Sequence, residues 1–349
     1  MKLTSMGDLM HALPALTDAV AQNPGVTFDW VVDESFAEVP SWHPAVRHVF
    51  KSAHRRWRKQ FGASFRKKEF SNFYRQLNHA NYDLVIDAQN NIKSSFISFL
   101  RKGPVHGMDK TSVAERPAHW AYKYRYKINT SLHAITRQRA LFAAAMGYTL
   151  PETAPQYGLL EDAFAAPDIA ITEPYIVLVH NASWSTKLWP ESHWHALIDK
   201  AEAAGYQVVL PGGSQAELLR GKKLASEHEN AMALPRLSLS ALGGLIQRAA
   251  GAINCDTGLA HLTAMIGTPA VTLYGPTSAQ LIGTTGRHQQ QLIASDPPFT
   301  CAPCYKRYCD YAGEKKMLSS CMAALEVENA WDLLLAEIRK SQGSQAPRL

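Results

Sequence analysis

The chain lacks any apolar stretch approaching the ~20 residues that a helix needs to cross a bilayer; runs such as 175–179 and 270–274 stop far short of it. No membrane span is expected. The start, Met1-Lys2-Leu3-Thr4-Ser5-Met6-Gly7-Asp8, has one basic residue but no apolar core of ~7–15 residues and no small-residue cleavage site, so it does not read as a secretory signal. A cytoplasmic location is the expectation. Cysteine is scarce and odd in number, five in 349 residues, and four of the five cluster at Cys301, Cys304, Cys309 and Cys321. That distribution does not suit a disulfide scaffold and leaves reduced thiols or a metal site as alternatives. Acidic residues are outnumbered, 30 against 36 basic, for a net charge of +6 and a pI near 9.0. An anionic partner follows, which by charge alone is a nucleotide, a phospholipid surface or a nucleic acid.

With 46% apolar residues the chain can bury a substantial core, and its length favours two domains. Short β-rich runs alternate with helical patterns, as in α/β layers around mostly parallel sheets. Residues 26–33 and 83–88 read as strands in the first half, and 175–180, 207–210, 252–255 and 270–274 in the second. Helical spacing links Leu9, Leu13, Leu16 and Val20, and again Trp194, Leu197, Ile198 and Ala201. Residues 151–174 hold four prolines and no sustained period, which places a linker there and a boundary near residue 165. The expected division is an N-terminal domain over 1–165, a C-terminal domain over 166–322, and a helix with a frayed tail over 323–349. Val327, Trp331, Leu334, Leu335 and Ile338 lie on one face of that helix.

Cys255-Asp256-Thr257-Gly258-Leu259-Ala260-His261 follows a predicted strand and opens a helical pattern. A strand end feeding a helix N-terminus offers free backbone N–H groups and a positive dipole end, which suit a diphosphate. Gly258 would allow close approach, Thr257 adds a hydroxyl, and Asp256 can accept from sugar hydroxyls. Helix capping by Asp256 or Thr257 explains the same residues about as well. Gly275-Pro276-Thr277 supplies a second turn at that sheet edge. Lys187, on the polar loop after 175–180, is a mobile point charge suited to a phosphate or simply a solvated lysine. Glu217 follows another strand end, where a carboxylate could hold a ribose diol or favour its own helix N-terminus. Asp8 is expected as the N-cap of the first helix, and a carboxylate there could also take a proton from an acceptor hydroxyl. His11 is expected on the helix surface or lining a cleft.

The densest basic stretch is His54-Arg55-Arg56-Trp57-Arg58-Lys59 with Arg66-Lys67-Lys68. It suits a solvated helix face, an acidic phosphorylated lipid, or RNA, since aromatic residues are interleaved. Lys93, Arg116 and Lys123 add charge to the same half. Cys301-x2-Cys304-x4-Cys309-x11-Cys321 could offer four thiolates to zinc, but the spacing is less regular than two paired knuckles, and plain thiols are the favoured alternative.

Taken in order, these residues resemble the ADP-heptose glycosyltransferases of lipopolysaccharide core assembly, with heptosyltransferase I as the nearest branch. The resemblance runs from Thr4 to about Gly286. It rests on Thr4-Ser5-Met6-Gly7-Asp8 with His11-Ala12-Leu13-Pro14, on Pro40-Ser41-Trp42-His43, on Arg55-Arg56-Trp57-Arg58-Lys59 and on Val85-Ile86-Asp87-Ala88-Gln89. It continues through His106-Gly107-Met108-Asp109, Lys187-Leu188-Trp189-Pro190, Asp256-Thr257-Gly258-Leu259-Ala260-His261 and Tyr274-Gly275-Pro276-Thr277.

The resemblance implies a GT-B fold, two Rossmann-like doubly wound α/β domains facing across a cleft. It implies ADP-heptose as donor, Kdo of a Kdo2-lipid A as acceptor, inversion at the transferred sugar, and no required cofactor or metal. Asp8 would be the base. Ser183 and Lys187 would meet the diphosphate, Glu217 the ribose, and Asp256 the heptose, with Thr257, Gly258, Leu259 and His261 completing the donor site. Arg55, Arg56, Arg58, Lys59 and Arg116 would face the acceptor. The inner-membrane surface is an expected peripheral partner, and nucleic acid is not. Two features depart from the family pattern. Relatives carry a hydrophobic strand before the Thr4–Asp8 turn, so the first sheet is expected to lack a central strand, with the start truncated or misassigned; and the cysteine-bearing tail is closer to heptosyltransferase II. A second heptosyltransferase or another nucleotide-sugar transferase, and more remotely a zinc-stabilised RNA-binding protein, are the competing readings.

Overall fold

The computed structural model describes residues 1–60, 68–101, 103–171, 174–294, 299–311 and 318–344, apart from the side chains of Arg58 and Ser344. The chain divides into two compact units, Met1–Ala163 and Phe164–Leu349.

The first unit begins with helix α1 (Met6–Met10) and α2 (Leu13–Gln22). The single helical run suggested by Leu9 to Val20 is broken at His11 and Ala12. Strands β1 (Phe28–Asp33) and β2 (Val46–Ser52) pair in parallel and precede α3 (His54–Lys59) and α4 (Glu69–Leu77). Then follow β3 (Val85–Ile86), α5 (Ile92–Leu100), β4 (Val105–Met108), β5 (Tyr124–Tyr126) and α6 (Ala134–Met146). Strands β3, β4 and β5 form a second parallel set.

Where the sequence implied a break in this sheet, residues 1–3 lie between the two sets. Lys2 N donates to Val31 O at 3.2 Å and Asp33 N to Leu3 O at 3.1 Å on one side. On the other, the Met1 amine donates to Ile86 O and Ala88 N to Met1 O. A cavity of about 170 Å³ flanks them, lined by Val26, Phe28, Leu84, Phe142 and Met146 among others. Burial there pushes the Met1 amine down to about 6 and lowers the Lys2 ammonium as well. Lys2 Nζ is satisfied by Ala88 O at 3.0 Å. Helices α2 and α6 are tied by a buried ion pair, Arg139 Nε to Asp18 Oδ2 at 2.6 Å.

The second unit contains β6 (Tyr175–Val179), α7 (Glu191–Ala203), β7 (Gln207–Leu210), α8 (Gln215–Ala225), β8 (Ala231–Ala233) and α9 (Leu239–Arg248). It continues with β9 (Gly251–Cys255), α10 (Gly258–Ile266), β10 (Ala270–Tyr274), β11 (Gln289–Ile293) and the terminal α11 (Val327–Ser344). All six strands are parallel in the order β11-β10-β9-β6-β7-β8. Counted from β6 as first, that is the doubly wound order 3-2-1-4-5-6.

The central strands β6, β9 and β10 are buried at every residue, as expected where helices cover both faces of a parallel sheet. Trp194, Leu197, Ile198 and Ala201 of α7 join Ile176, Leu178, Ile253 and Leu273 in one core, with Trp331, Leu334 and Ile338 of α11 packed on the same cluster. Each such fully buried aliphatic side chain stabilises the unit by roughly 1.5–3 kcal/mol relative to exposure. Gly267, at φ +88°, ends α10 in the left-handed conformation that favours glycine.

Candidate active site

In a doubly wound sheet the connections from the first and fourth strands leave in opposite directions and open a crevice at their carboxyl ends. Here those strands are β6 and β9. The loop after β6 carries Ser183, Trp184 and Lys187, the last in a 3₁₀ turn, Ser185–Lys187. The loop after β9 carries Asp256 and leads into α10.

Lys187 Nζ donates to Asp256 Oδ2 at 2.6 Å and to Asp256 O at 3.3 Å. Thr277 Oγ1, in the turn after β10, donates to the same Oδ2 at 2.6 Å. His261 Nε2, from α10, stands 4.0 Å from Oδ1. Two loops and a helix therefore converge on one carboxylate that is almost fully buried. Its partners already offset the cost of burying the charge. Lys187 also lies over the Trp184 ring, 5.2 Å from the centroid, and Arg307 approaches the same ring at 5.3 Å. Burial and the Asp256 charge raise the Tyr274 phenol, and burial pushes the Cys255 thiol up to about 11, so neither ionises near neutrality.

Thr257 is the residue before α10 and makes no side-chain cap to it. Its Oγ1 is buried with no hydrogen-bond partner among the described residues. Ala260 N and His261 N both reach back to Thr257 O, which leaves the Gly258 and Leu259 N–H groups at the open helix end. An uncapped helix N-terminus beside a lysine is a receptor for an anion of phosphate type.

The Lys187 loop is held from outside. Thr186 Oγ1 donates to Lys306 O at 2.8 Å, Ser185 Oγ to Arg307 O at 3.3 Å, and Ser319 Oγ to Thr186 O at 2.6 Å. Tyr305 N donates to Pro276 O at 2.8 Å. The cysteine-bearing segment thus laces the loops after β6 and β10. Cys301, Cys304, Cys309 and Cys321 are free and line one small cavity with Thr186 and Ser319.

The model of glycosyltransferase family 9 (heptosyltransferase) matches residues 70–314. Lipopolysaccharide heptosyltransferase 1 of Pseudomonas aeruginosa is 44% identical over 311 residues, which cover 89% of this chain and 86% of that protein. The chain belongs to glycosyltransferase family 9. Two solved structures agree at 36% identity, each covering 96% of this chain and 98% of its own: E. coli heptosyltransferase WaaC with ADP, at a TM-score of 0.83, and the same enzyme with ADP-2-deoxy-2-fluoro heptose, at 0.79. The fold is therefore GT-B, and this family 9 protein is a glycosyltransferase.

Within the transferase, Lys187, Asp256, Thr257, Gly258, Leu259 and His261 come together as the sequence suggested, and Ser183 is exposed on the same loop. Glu217 is the third residue of α8, and its backbone and charge reach His180 just ahead of the Ser183 loop. Its Oε2 accepts from Gly213 N at 2.7 Å and Ser214 N at 3.0 Å, while Ser214 Oγ accepts from Glu217 N. That is a capping box. Thr277, Trp184 and Arg307 were missed as site residues. The Gly275-Pro276-Thr277 turn was visible, but nothing local shows that its hydroxyl reaches Asp256.

In the first unit Asp8 is not the N-cap of α1. Ser5 occupies that place, and Asp8 sits in the first turn with Oδ2 accepting from Ser5 N and Ser5 Oγ, both at 2.8 Å. The chain extends through Ser5 before turning, which shifts the cap three residues upstream of the expected one. His11 is buried rather than on the surface, its ring edge-on to His133 at 5.7 Å.

The basic stretch is partly neutralised by its neighbours. Arg56 pairs with Glu34 at 3.0 Å and with Glu69 at 2.7 Å, and Arg55 approaches Asp33 at 3.6 Å. Lys59 and Arg116 are exposed. The Arg58 side chain, Arg66 and Lys67 lie outside the described residues. No helix of the described residues is long and apolar enough to cross a membrane. Among the described residues, the three metal-ligand types gathered within 4.8 Å of one another are Asp199, Glu202 and His228, not the thiols.

Proposed function

We propose that this chain transfers L-glycero-D-manno-heptose from ADP-heptose to Kdo of Kdo2-lipid A, at the cytoplasmic face of the inner membrane. The observation that carries the donor side is the Lys187–Asp256 pair at the uncapped end of α10. A diphosphate there would take the Lys187 charge and the free N–H groups, and Asp256 and His261 would meet sugar hydroxyls. Ser183 adds a donor to the diphosphate. Glu217 would hold the ribose through the oxygen that its capping box leaves over.

The chemistry is a single displacement. The acceptor hydroxyl oxygen bonds to the anomeric carbon as the bond from that carbon to the diphosphate oxygen breaks, which inverts the centre. Asp8 takes the hydroxyl proton, and Lys187 with the α10 N-terminus stabilises the charge growing on ADP. Arg55, Arg58, Lys59 and Arg116 would serve the acidic acceptor. No cofactor or metal enters this scheme.

The test is incubation with ADP-heptose and lipid A bearing one or two Kdo residues, with products weighed by mass spectrometry. One added heptose and released ADP are expected. Asp8→Asn should bind ADP as the parent does and lower turnover by ~10²–10⁴. No mass increment with either acceptor would overturn the function, and near-normal turnover in the variant would remove Asp8 from the base role.

A further inference from the structure

Helix α5 buries Ile97 in the core but turns most of its other large apolar residues towards solvent. Ser94, Ser95 and Ser98 are buried, whereas Ile92, Phe96 and Phe99 stand outward at a spacing of four and three residues, with Phe99 76% exposed. Keeping three large apolar side chains in water forgoes the stabilisation that their burial would give. Scattered exposed hydrophobics are ordinary, but an aligned stripe on one helix face marks a contact surface.

The stripe is extended by its neighbour. The 3₁₀ turn Arg116–Ala121 packs against α5 and carries Trp120, 74% exposed. Glu115 Oε2 accepts from Ile92 N at 2.9 Å, and Glu115 N donates to Asn90 O at 3.3 Å, so the two segments are fixed side by side. Exposed Tyr124 follows, with Lys123 Nζ 5.5 Å from its ring centre.

Charge selects the occupant. Residues 92–127 hold eight Lys or Arg against two acids. Both acids are engaged locally, Glu115 as above and Asp109 by Thr111 and Ser112. Lys93, Arg116 and Lys123 are exposed beside the aromatic residues. Aromatic side chains enter the interfacial layer of a bilayer while lysine and arginine meet its phosphates. We propose that the face built by Ile92, Phe96, Phe99 and Trp120 is where this chain rests on an anionic phospholipid surface. That a membrane is wanted rests on the lipid-linked acceptor proposed above; the choice of face rests on exposure and charge.

The experiment is co-sedimentation of the full chain with phosphatidylcholine vesicles, with and without roughly 30% phosphatidylglycerol, at two salt concentrations. The parent should sediment with the anionic vesicles, less so at high salt. Phe96→Ser with Phe99→Ser should lower vesicle affinity at least ~10-fold while the melting curve is unchanged, because both positions are solvent-facing. Lys93→Gln with Lys123→Gln should weaken binding and flatten its salt dependence. Transfer to a detergent-dispersed acceptor is measured alongside and should survive both changes. Vesicle binding by the parent without any heptose transfer would sink the proposed reaction and leave this surface standing. Equal sedimentation of parent and Phe variant, absence of parent binding to anionic vesicles, or self-association of the parent abolished by the Phe changes would overturn the membrane assignment.

Discussion

Lys187 Nζ stands 2.6 Å from Asp256 Oδ2, a pair formed across the crevice between β6 and β9 with little exposure on either side. Breaking such a pair from one side strands the other charge, at a cost of about 3–5 kcal/mol for a buried pair. Asp256→Asn should therefore lower the melting temperature of the second unit and weaken ADP binding together. Thermal unfolding and calorimetric titration with ADP check this, and a variant as stable as the parent would mean that Lys187 finds another partner.

Lys187→Ala acts differently, because Asp256 keeps Thr277 as a donor at 2.6 Å. The charge is needed more as ADP departs than when it is bound, so turnover should fall by ~10²–10³ and donor affinity by less. Steady-state kinetics with ADP-heptose separate the two. Loss of donor affinity with turnover unchanged would make Lys187 a binding residue alone.

Glu217 is bound to its own helix end by two backbone N–H groups. Glu217→Ala should cost α8 about 1 kcal/mol, whereas Glu217→Gln can still accept through its amide oxygen and should melt near the parent. If the carboxylate also holds the ribose, ADP affinity falls in both variants. Loss of stability in the alanine variant with unchanged ADP affinity would leave Glu217 as a cap only.

Two histidines make the fold sensitive to acid. His43 and His180 are both held down to about 4 by burial. Asn181 Nδ2 donates to His180 Nε2 at 2.7 Å, which fixes the neutral ring with its proton on Nδ1, facing Leu178 O. The unfolded chain takes up these protons near the ordinary histidine value and the folded chain does not. Stability is thus complete above that value and declines as pH falls towards 4, by about 1–3 kcal/mol for each ring. Urea unfolding at about pH 7 and about pH 4.5 should show the decline, and His180→Gln should reduce it. A parent with pH-independent stability over that interval would contradict the burial account.

The strand-to-helix passages were legible because their information is local. A run of β-rich apolar residues followed by Asp256-Thr257-Gly258 and a helical period specifies both the strand-to-helix passage and where the helix end opens. What stayed hidden is set by partners far away in the chain. Arg56 is one basic residue among several until Glu34 and Glu69, 22 and 13 positions distant, neutralise it. Ser5 displaced Asp8 as the cap because the preceding residues are held in extended form between β1 and β3. The outward stripe of α5 was unreadable for the same reason, since Ile92, Phe96 and Phe99 have the period of a core face and only the packing shows which side of the helix is inside.

The bonds from Ser185 and Thr186 to the segment around Lys306 and Arg307 have a consequence for how a ligand is captured. Fixing a backbone residue costs roughly 1–2 kcal/mol of conformational entropy, and a free loop would spend it each time a diphosphate arrived. Here that ordering is completed when the unit folds, so an anion binding at Lys187, as proposed, would meet a cation already in place. Loosening the cysteine-bearing segment would transfer the ordering cost back to the binding step, and would show as slower, weaker donor capture with the bond-making step intact.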